Sequence, residues 1–289
     1  HTSLGILAYQ CNDLTISNCS INDVVYDGVV LHESNFVKIS DNLINHTGMP
    51  GILVFEGSGS IISNNTIRLA HWMEENNFPA AVYIYGDSVE TFRNNDVQNC
   101  YEKGLQLYSS DDVEVKNNII KNNDGMGMYL YYSDTCTVVN NNVSLNSLGG
   151  ILLYGTDFCT LNQNYVRDNA EYGISVLSND NLFYNNTVIG NYPNAIDDGA
   201  NNDWNNTDIG NFWSNYTSQD PDDDGIGEDA HPLQGTAGAV DYLPQFWDAP
   251  NFTISSPANL TVVGPNAPQF SLTMEEGRAR SYWYEFNVT

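Results

Sequence analysis

Apolar and polar positions alternate along this chain in short bursts that return at a fixed interval. Gly5-Ile6-Leu7-Ala8-Tyr9 is followed by Gly28-Val29-Val30-Leu31-His32 and by Gly51-Ile52-Leu53-Val54-Phe55. Later bursts begin at Ala81, Gly104, Gly127, Gly150 and Gly173, so the successive intervals are 23, 23, 30, 23, 23, 23 and 23 residues. Alternation of period two marks strand, and no 3.6-residue pattern runs through the units. Each unit holds a second short strand that runs into asparagine, as in Val113-Glu114-Val115-Lys116-Asn117-Asn118. A polar column reads Cys19, Asn42, Asn65, Asn95, Asn118, Asn141 and Asn164, and Asn186 arrives one place early, which points to a one-residue deletion between Asp180 and Asn186. A shorter column holds Asn123, Asn146, Asn169 and, again early, Asn191. Identical units stack, and stacked amides hydrogen-bond along the pile. The expected fold is therefore all-β: a parallel β-helix of about eight to nine coils. Eight coils at about 4.8 Å each make a rod of roughly 35–40 Å.

Alternation also assigns the faces. In the first strand Ile6 and Ala8, Val29 and Leu31, and so on to Ile174 and Val176, point inward. In the second, Ile16, Ile39, Ile62, Phe92, Val115, Val138 and Leu161 form a clean inward column. Beside it run Leu14, Val37, Val113, Cys136 and Cys159, interrupted by Ser60 and Glu90. Cys136 and Cys159 read as stacked buried thiols, because a disulfide needs Cβ atoms closer than in-register stacking brings them.

The outward side of the first strand is unusually apolar. One column holds Tyr9, His32, Phe55, Tyr85, Tyr108, Tyr131, Tyr154 and Leu177; its neighbour holds Leu7, Val30, Leu53, Tyr83, Gln106, Tyr129, Leu152 and Ser175. Exposed patches of this kind mark contact surfaces, and rings can meet a sugar or a partner protein. The plainer reading is cross-strand stacking that stabilises the sheet. Tyr9, Phe55, Tyr83, Tyr85, Tyr108, Tyr129, Tyr131 and Tyr154 are the candidate contact residues.

Net charge changes the list of partners. There are 36 acidic against 9 basic residues, a formal charge of -27, which excludes nucleic acid as a partner because phosphates need clustered Lys and Arg. With 41% hydrophobic residues the acidity does not signal disorder, and no apolar run is long enough to span a membrane. Part of the charge lies in Asp220-Pro221-Asp222-Asp223-Asp224-Gly225-Ile226-Gly227-Glu228-Asp229. Carboxylates at positions 1, 3 and 5, Gly at 6 and a carbonyl at 7 match a calcium loop, so Asp220, Asp222, Asp224, Ile226, Glu228 and Asp229 are candidate ligands. Position 12 is His231 instead of a bidentate Glu and no flanking helices are evident, so this is a calcium loop without an EF-hand. The alternative is a solvated acidic turn. Asp111, Asp134, Asp157 and Asp180 form a further turn column, at a spacing near that of a glycosidase pair. Asx-turns explain that column as well, and no matching column of Lys or Arg supports catalysis.

The single interval of 30 inserts seven residues between Asn65 and Ala81, where Trp72, Met73 and Phe78 either cover a groove or pack on the apolar face. Ten Asn-x-Ser/Thr sequons occur, at Asn18, Asn45, Asn64, Asn142, Asn185, Asn205, Asn215, Asn251, Asn259 and Asn287. Their number, with the acidity and the scarcity of Lys, favours a glycosylated protein at the outside of a cell. Five cysteines do not make a disulfide scaffold. Both ends look cut, as in a fragment of a longer protein.

The G-I-x-L-Y and N-N-x-I/V pattern over residues 1 to about 248, with Ile209-Gly210-Asn211-Phe212-Trp213 and Asp241-Tyr242-Leu243-Pro244, resembles the NosD-like, carbohydrate-binding and sugar hydrolase (CASH) class of right-handed parallel β-helices. That resemblance implies a right-handed helix over 1–195 and a C-terminal cap with the calcium loop over 196–248. The stretch 249–289, with Asn251-Phe252-Thr253-Ile254, looks like the truncated start of an immunoglobulin-like sandwich of archaeal surface proteins. The expected function is an extracellular, calcium-stabilised binding module. Its partners would be glycans, cell-surface proteins or other copies of itself, with no direct membrane insertion. A polysaccharide lyase or glycoside hydrolase of the same architecture, and a self-assembling surface-layer or filament subunit, stand as alternatives.

Overall fold

A computed structural model describes residues 3–73, 79–86, 89–222 and 224–246, together with the backbone of two further strands. The described residues from Ile6 to Trp213 wind into a parallel β-solenoid with three strands per full coil. The first sheet has nine strands, from Ile6–Tyr9 through Val29–Asn35 and Lys103–Tyr108 to Ala195–Asp197. The second has eight, from Thr15–Ser17 to Leu182–Tyr184; the third has nine, from Ser20–Val24 to Phe212–Trp213. All described pairings between coils are parallel and, apart from one bulge, in register, such as Gln106 with Tyr129 and Val138 with Leu161.

Most coils turn through the left-handed region at four corners. Asn18, Asp41, Asn64, Asn94, Asn117, Asn140 and Asn185, which precede the asparagine column, all have φ between 54° and 59°. Asn and Asp tolerate this conformation better than other residues with a Cβ, so the composition follows from the number of corners.

The asparagine ladder forms as expected and runs further than the repeat alone suggests. Each Oδ1 accepts the backbone N–H and the Nδ2 of the preceding coil's asparagine: Asn118 N and Nδ2 both donate to Asn141 Oδ1 at 2.9 Å. Each Nδ2 also donates to a carbonyl of an earlier strand, as from Asn141 to Val115 at 2.9 Å. The chain of bonds passes Asn164 and Asn186, reaches Asn211 and ends on Asp241. An acceptor-only group belongs at that terminus: Asp241 Oδ2 takes Asn211 N at 2.7 Å and Trp213 Nε1 at 2.9 Å, and its Oδ1 takes Leu243 N at 3.0 Å. Burial pushes the Asp241 carboxyl up from its ordinary value, and these four donated bonds pull it down.

Beyond the last coil, Trp204 stacks on Phe183 at 4.1 Å between centroids and donates to Asp197 Oδ2 at 2.7 Å. Trp213 lies on His231 at 5.2 Å. These rings, with the antiparallel pair His231–Pro232 and Val240–Asp241, shut the apolar interior from water. Farther on, Asn251–Ser256 and Ser271–Glu276 pair antiparallel. The rest of the expected sandwich start, and the sequons Asn259 and Asn287 within it, lie outside the described residues.

Three details correct the expected register. Glu90 does not fill an inward position: a bulge between Val89 and Thr91 puts Val89 opposite Ser60 and turns Glu90 to solvent. Ser60 is buried and its Oγ accepts Val37 N at 3.2 Å, which makes it part of a hydroxyl ladder's logic instead of a core defect. The deleted residue falls between Leu177 and Ser178, earlier than expected, because Tyr154 pairs with Leu177 while Thr156 N already donates to Ser178 Oγ. Cys136 and Cys159 are buried free thiols, with Cys136 N donating to Cys159 Sγ at 3.2 Å.

Replacing Asn141 with Ala orphans several buried backbone and amide groups at once, at about 1–3 kcal/mol each. Chemical denaturation of Asn141→Ala should therefore show a loss of about 3 kcal/mol or more. Asn140→Gly, at an exposed corner that Gly also accepts, should be near neutral.

Candidate functional site

The outer face of the first sheet is a shallow trough with three parallel columns. The floor is Leu7, Val30, Leu53, Tyr83, Gln106, Tyr129, Leu152 and Ser175, paired coil to coil. Contrary to the expectation that both columns are exposed, most of this floor is shielded: Tyr83 is 5% exposed and Gln106 6%. Long side chains on either margin lean over it. Val30, Leu53, Ala80 and Tyr83 form a satellite apolar cluster joined by Leu4, Tyr85 and Tyr108, separate from the solenoid core.

One margin is a continuous ring stack. Centroids of Tyr9, His32, Phe55, Tyr85, Tyr108, Tyr131 and Tyr154 follow one another at 5.3, 5.4, 4.7, 5.3, 4.9 and 5.3 Å. Most of these pairs lie at interplanar angles of 34° or less, so each ring covers its neighbour's face. The bland reading of the column, sheet stabilisation, is thus part of what it does. With the faces covered, the column presents ring edges outward, one per coil from Tyr85 to Tyr154, and the Tyr131 hydroxyl is hydrogen-bonded to Tyr132. Tyr132 stands edge-on to Tyr131 and Tyr154, is 49% exposed, and seats against Gly155, where a Cβ would meet its ring at 2.4 Å.

The opposite margin is the column at or just before the start of each first-sheet strand: Leu4, Asp27, Pro50, Ala80, Lys103, Met126, Gly149 and Tyr172. Two of its residues are chemically unusual. Asp27 is 8% exposed, its Oδ1 has no hydrogen-bond partner, and burial raises its carboxyl to about 6. Lys103 donates from Nζ to Pro79 O at 3.2 Å and lies 5.8 Å over the Tyr129 ring; burial lowers its pKa, and Glu102 opposes that shift. Desolvation raises the phenols of Tyr83, Tyr129 and Tyr172 to about 12, so all three keep their protons at neutral pH. Sequence reasoning missed this margin because it has no common residue type. Its only signal is its fixed place one residue before each Gly.

A family model described as "Right handed beta helix region" matches residues 4–165 and 75–213. The chain belongs to this family. The β-helix is thus right-handed as well as parallel. No curated protein matches. Among solved structures, the A-module of mannuronan C-5 epimerase AlgE6 from Azotobacter vinelandii aligns with TM-score 0.51 at 14% identity, over 72% of this chain and 66% of that one. A double mutant of the periplasmic alginate epimerase AlgG aligns with TM-score 0.52 at 18% identity, over 67% and 58%. Dettilon tailspike protein does so with TM-score 0.52 at 15% identity, over 66% and 45%. This chain therefore spans less than two thirds of the length of these structures, and the likeness is one of fold.

Beyond the last coil, the acidic loop brings carboxylate oxygens of Asp220, Asp222 and Asp224 within 4.8 Å of one another. Asp220 also holds the turn, accepting Asp224 N at 3.1 Å and Gly225 N at 2.7 Å. Glu228 and Asp229 do not join the cluster among the described residues: Asp229 takes Ser218 Oγ at 2.7 Å instead. Ile226 bridges to Gln245, which ties the loop to the cap. The acidic turn column is corrected at its end. Asp134 N donates to Asp111, Asp157 N to Asp134 and Asn179 N to Asp157, each at 2.7 Å, so Asn179 takes the place expected for Asp180. These carboxylates hold the next coil's backbone, a better use than the Asx-turns expected. Of the insertion, Trp72 stacks on His46 at 6.0 Å, at the corner after the third sheet, and Phe78 lies outside the described residues. Asn18, Asn64 and Asn215 are exposed; Asn45, Asn142, Asn185 and Asn205 are half-buried.

A buried carboxyl raised from 3.8 to about 6 adds stability below pH 4 that is lost as pH rises through 6, because the unfolded chain releases the proton first. Asp27 should therefore lower stability by about 2 kcal/mol between pH 4 and pH 7. Asp27→Asn should flatten that slope in melts recorded across the range.

Proposed function

We propose that this β-helix is an extracellular glycan-binding module whose trough on the first sheet holds a sugar chain along the rod axis. The observation that carries the reading is the unbroken row of ring edges beside a shielded floor. It sets phenol groups at coil spacing, and a row of polar-tipped ring edges suits sugars better than a dry protein interface. The fold neighbours give weaker support of the same kind, since two of them are named for epimerisation of alginate or mannuronan. A lyase or hydrolase has less behind it: across the three trough columns the only carboxylate is Asp27, whereas glycosidases use two. Packing of the face on another copy is the competing outcome. Exposed sequons such as Asn18, Asn64 and Asn215 fit glycosylation at a cell exterior.

Changing Tyr85, Tyr108 and Tyr131 to Phe keeps the stack and removes the hydroxyls. Glycan affinity measured by calorimetry should fall about fivefold for each hydroxyl engaged, beside a small drop in melting temperature from the lost Tyr131–Tyr132 bond. Equal affinity in the triple variant, or no binding to any oligosaccharide with a dimer in solution, would count against the reading.

Calcium is proposed as the ion of the acidic loop, held by Asp220, Asp222 and Asp224 with the Ile226 carbonyl available nearby in sequence. Gly227 N donates to Pro244 O at 2.8 Å and Phe246 N to Gly225 O at 3.1 Å, so ordering this loop stiffens the cap that carries Asp241. Calcium should raise the melting temperature by several degrees, and Asp220→Asn with Asp224→Asn should abolish that rise. A melt indifferent to chelator would remove the ion from the account.

A further inference from the structure

We propose that the trough contains one anion subsite, at Lys103, and that it selects a glycan bearing a single carboxylate among otherwise neutral sugars. The proposal rests on the glycan reading above and adds the class of sugar.

Lys103 is out of place in three ways. The described Lys and Arg residues otherwise lie on the second sheet, at Lys38, Arg93 and Lys116, or on the third, at Arg68, Lys121 and Arg167. Lys103 alone is on the first. Acidic residues outnumber basic ones four to one in this chain, yet among the described residues Lys103 forms no ion pair. Its ammonium rests against one carbonyl and one ring face. Glu102 acts on it only from a distance, no described carboxylate being within salt-bridge reach, and a partly desolvated cation so placed is costly unless something completes it. The second observation is Gln106, in the floor beside Tyr129, the ring that Lys103 overlies. Gln106 is 6% exposed and its Oε1 has no hydrogen-bond partner. An ammonium, and a nearby amide that would turn its buried, unsatisfied oxygen outward on binding, suit a group that supplies both an anionic acceptor and a hydroxyl donor. A sugar carboxylate with a neighbouring hydroxyl is such a group.

The rest of the margin limits the charge to one. Above Lys103 stand Ala80, Pro50 and Asp27; below it stand Met126, Gly149 and Tyr172. None can neutralise a second carboxylate, and the overall charge of -27 repels a polyanion. Gly149 leaves room for Tyr172 to lean over the floor, since a Cβ there would meet its ring at 2.0 Å.

The test uses three tetrasaccharides of one linkage: neutral, carrying a single glucuronate, and built wholly of glucuronate. The wild-type chain should prefer the single-uronate sugar about tenfold over the neutral one, in the range of a charge-assisted hydrogen bond, and should gain nothing further from four uronates. Lys103→Gln should erase that preference, Lys103→Arg should keep part of it, and added salt should weaken it. The proposal is overturned if Lys103→Gln keeps the preference, or if affinity climbs with the number of carboxylates. If neutral sugars bind and respond to the tyrosine substitutions but the uronate brings no advantage, the subsite alone is wrong. If no sugar binds, both readings fall together.

Discussion

Everything in this molecule depends on one repeated hydrogen bond, the one that joins an asparagine side chain to the backbone and amide of the coil before it. A solenoid must satisfy the polar backbone at each corner without a helix or a hairpin to do so. Here the amide of Asn141, like its counterparts above and below, accepts from the preceding coil and donates both to that coil and to the next. The bond has a direction. Because every oxygen looks toward the preceding coil, the last amide is left with a donor, and Asp241 receives it. The cap is therefore the electrostatic end of the ladder as well as the lid on the apolar interior. The tryptophan indoles close it by donating to Asp197 and Asp241.

Once the coils are locked at one spacing, identical residues must stack, and the outer face inherits that order. Aromatic side chains placed one per coil have no choice but to lie on each other's faces, which converts a row of sticky surfaces into a row of edges. The same stacking shields the floor between the two margins. An acidic protein thus acquires a trough of phenols, one amide and one ammonium, with its excess carboxylates at the turns and in the acidic loop. Asp111, Asp134 and Asp157 illustrate how those carboxylates are absorbed: each accepts a backbone N–H of the following coil, so the charge does structural work at a corner.

Much of this was legible in the residues themselves. The recurrence of Gly-Ile-x-Leu-Tyr showed the coil, alternation assigned Ile39, Val115 and Leu161 inward, and the asparagine column announced its own bonding, all because neighbours in a solenoid are fixed by phase. Errors arose where phase slipped by one residue. Glu90 and Val89 trade roles through a bulge, and Asp180 yields to Asn179 because the deleted residue lies before both. A spacing count sees that a residue is missing but not which corner absorbs it.

Period, inward and outward sides, the ring column and the acidic loop follow from sequence alone, since each is a local pattern repeated at constant spacing. The trough follows from tertiary structure. Lys103, Gln106 and Asp27 repeat nothing, and their burial depends on what leans over them from adjacent coils. The ladder's last partner likewise sits 30 residues beyond Asn211, on a returning hairpin. No spacing rule reaches it, because a cap must break the repeat in order to end it.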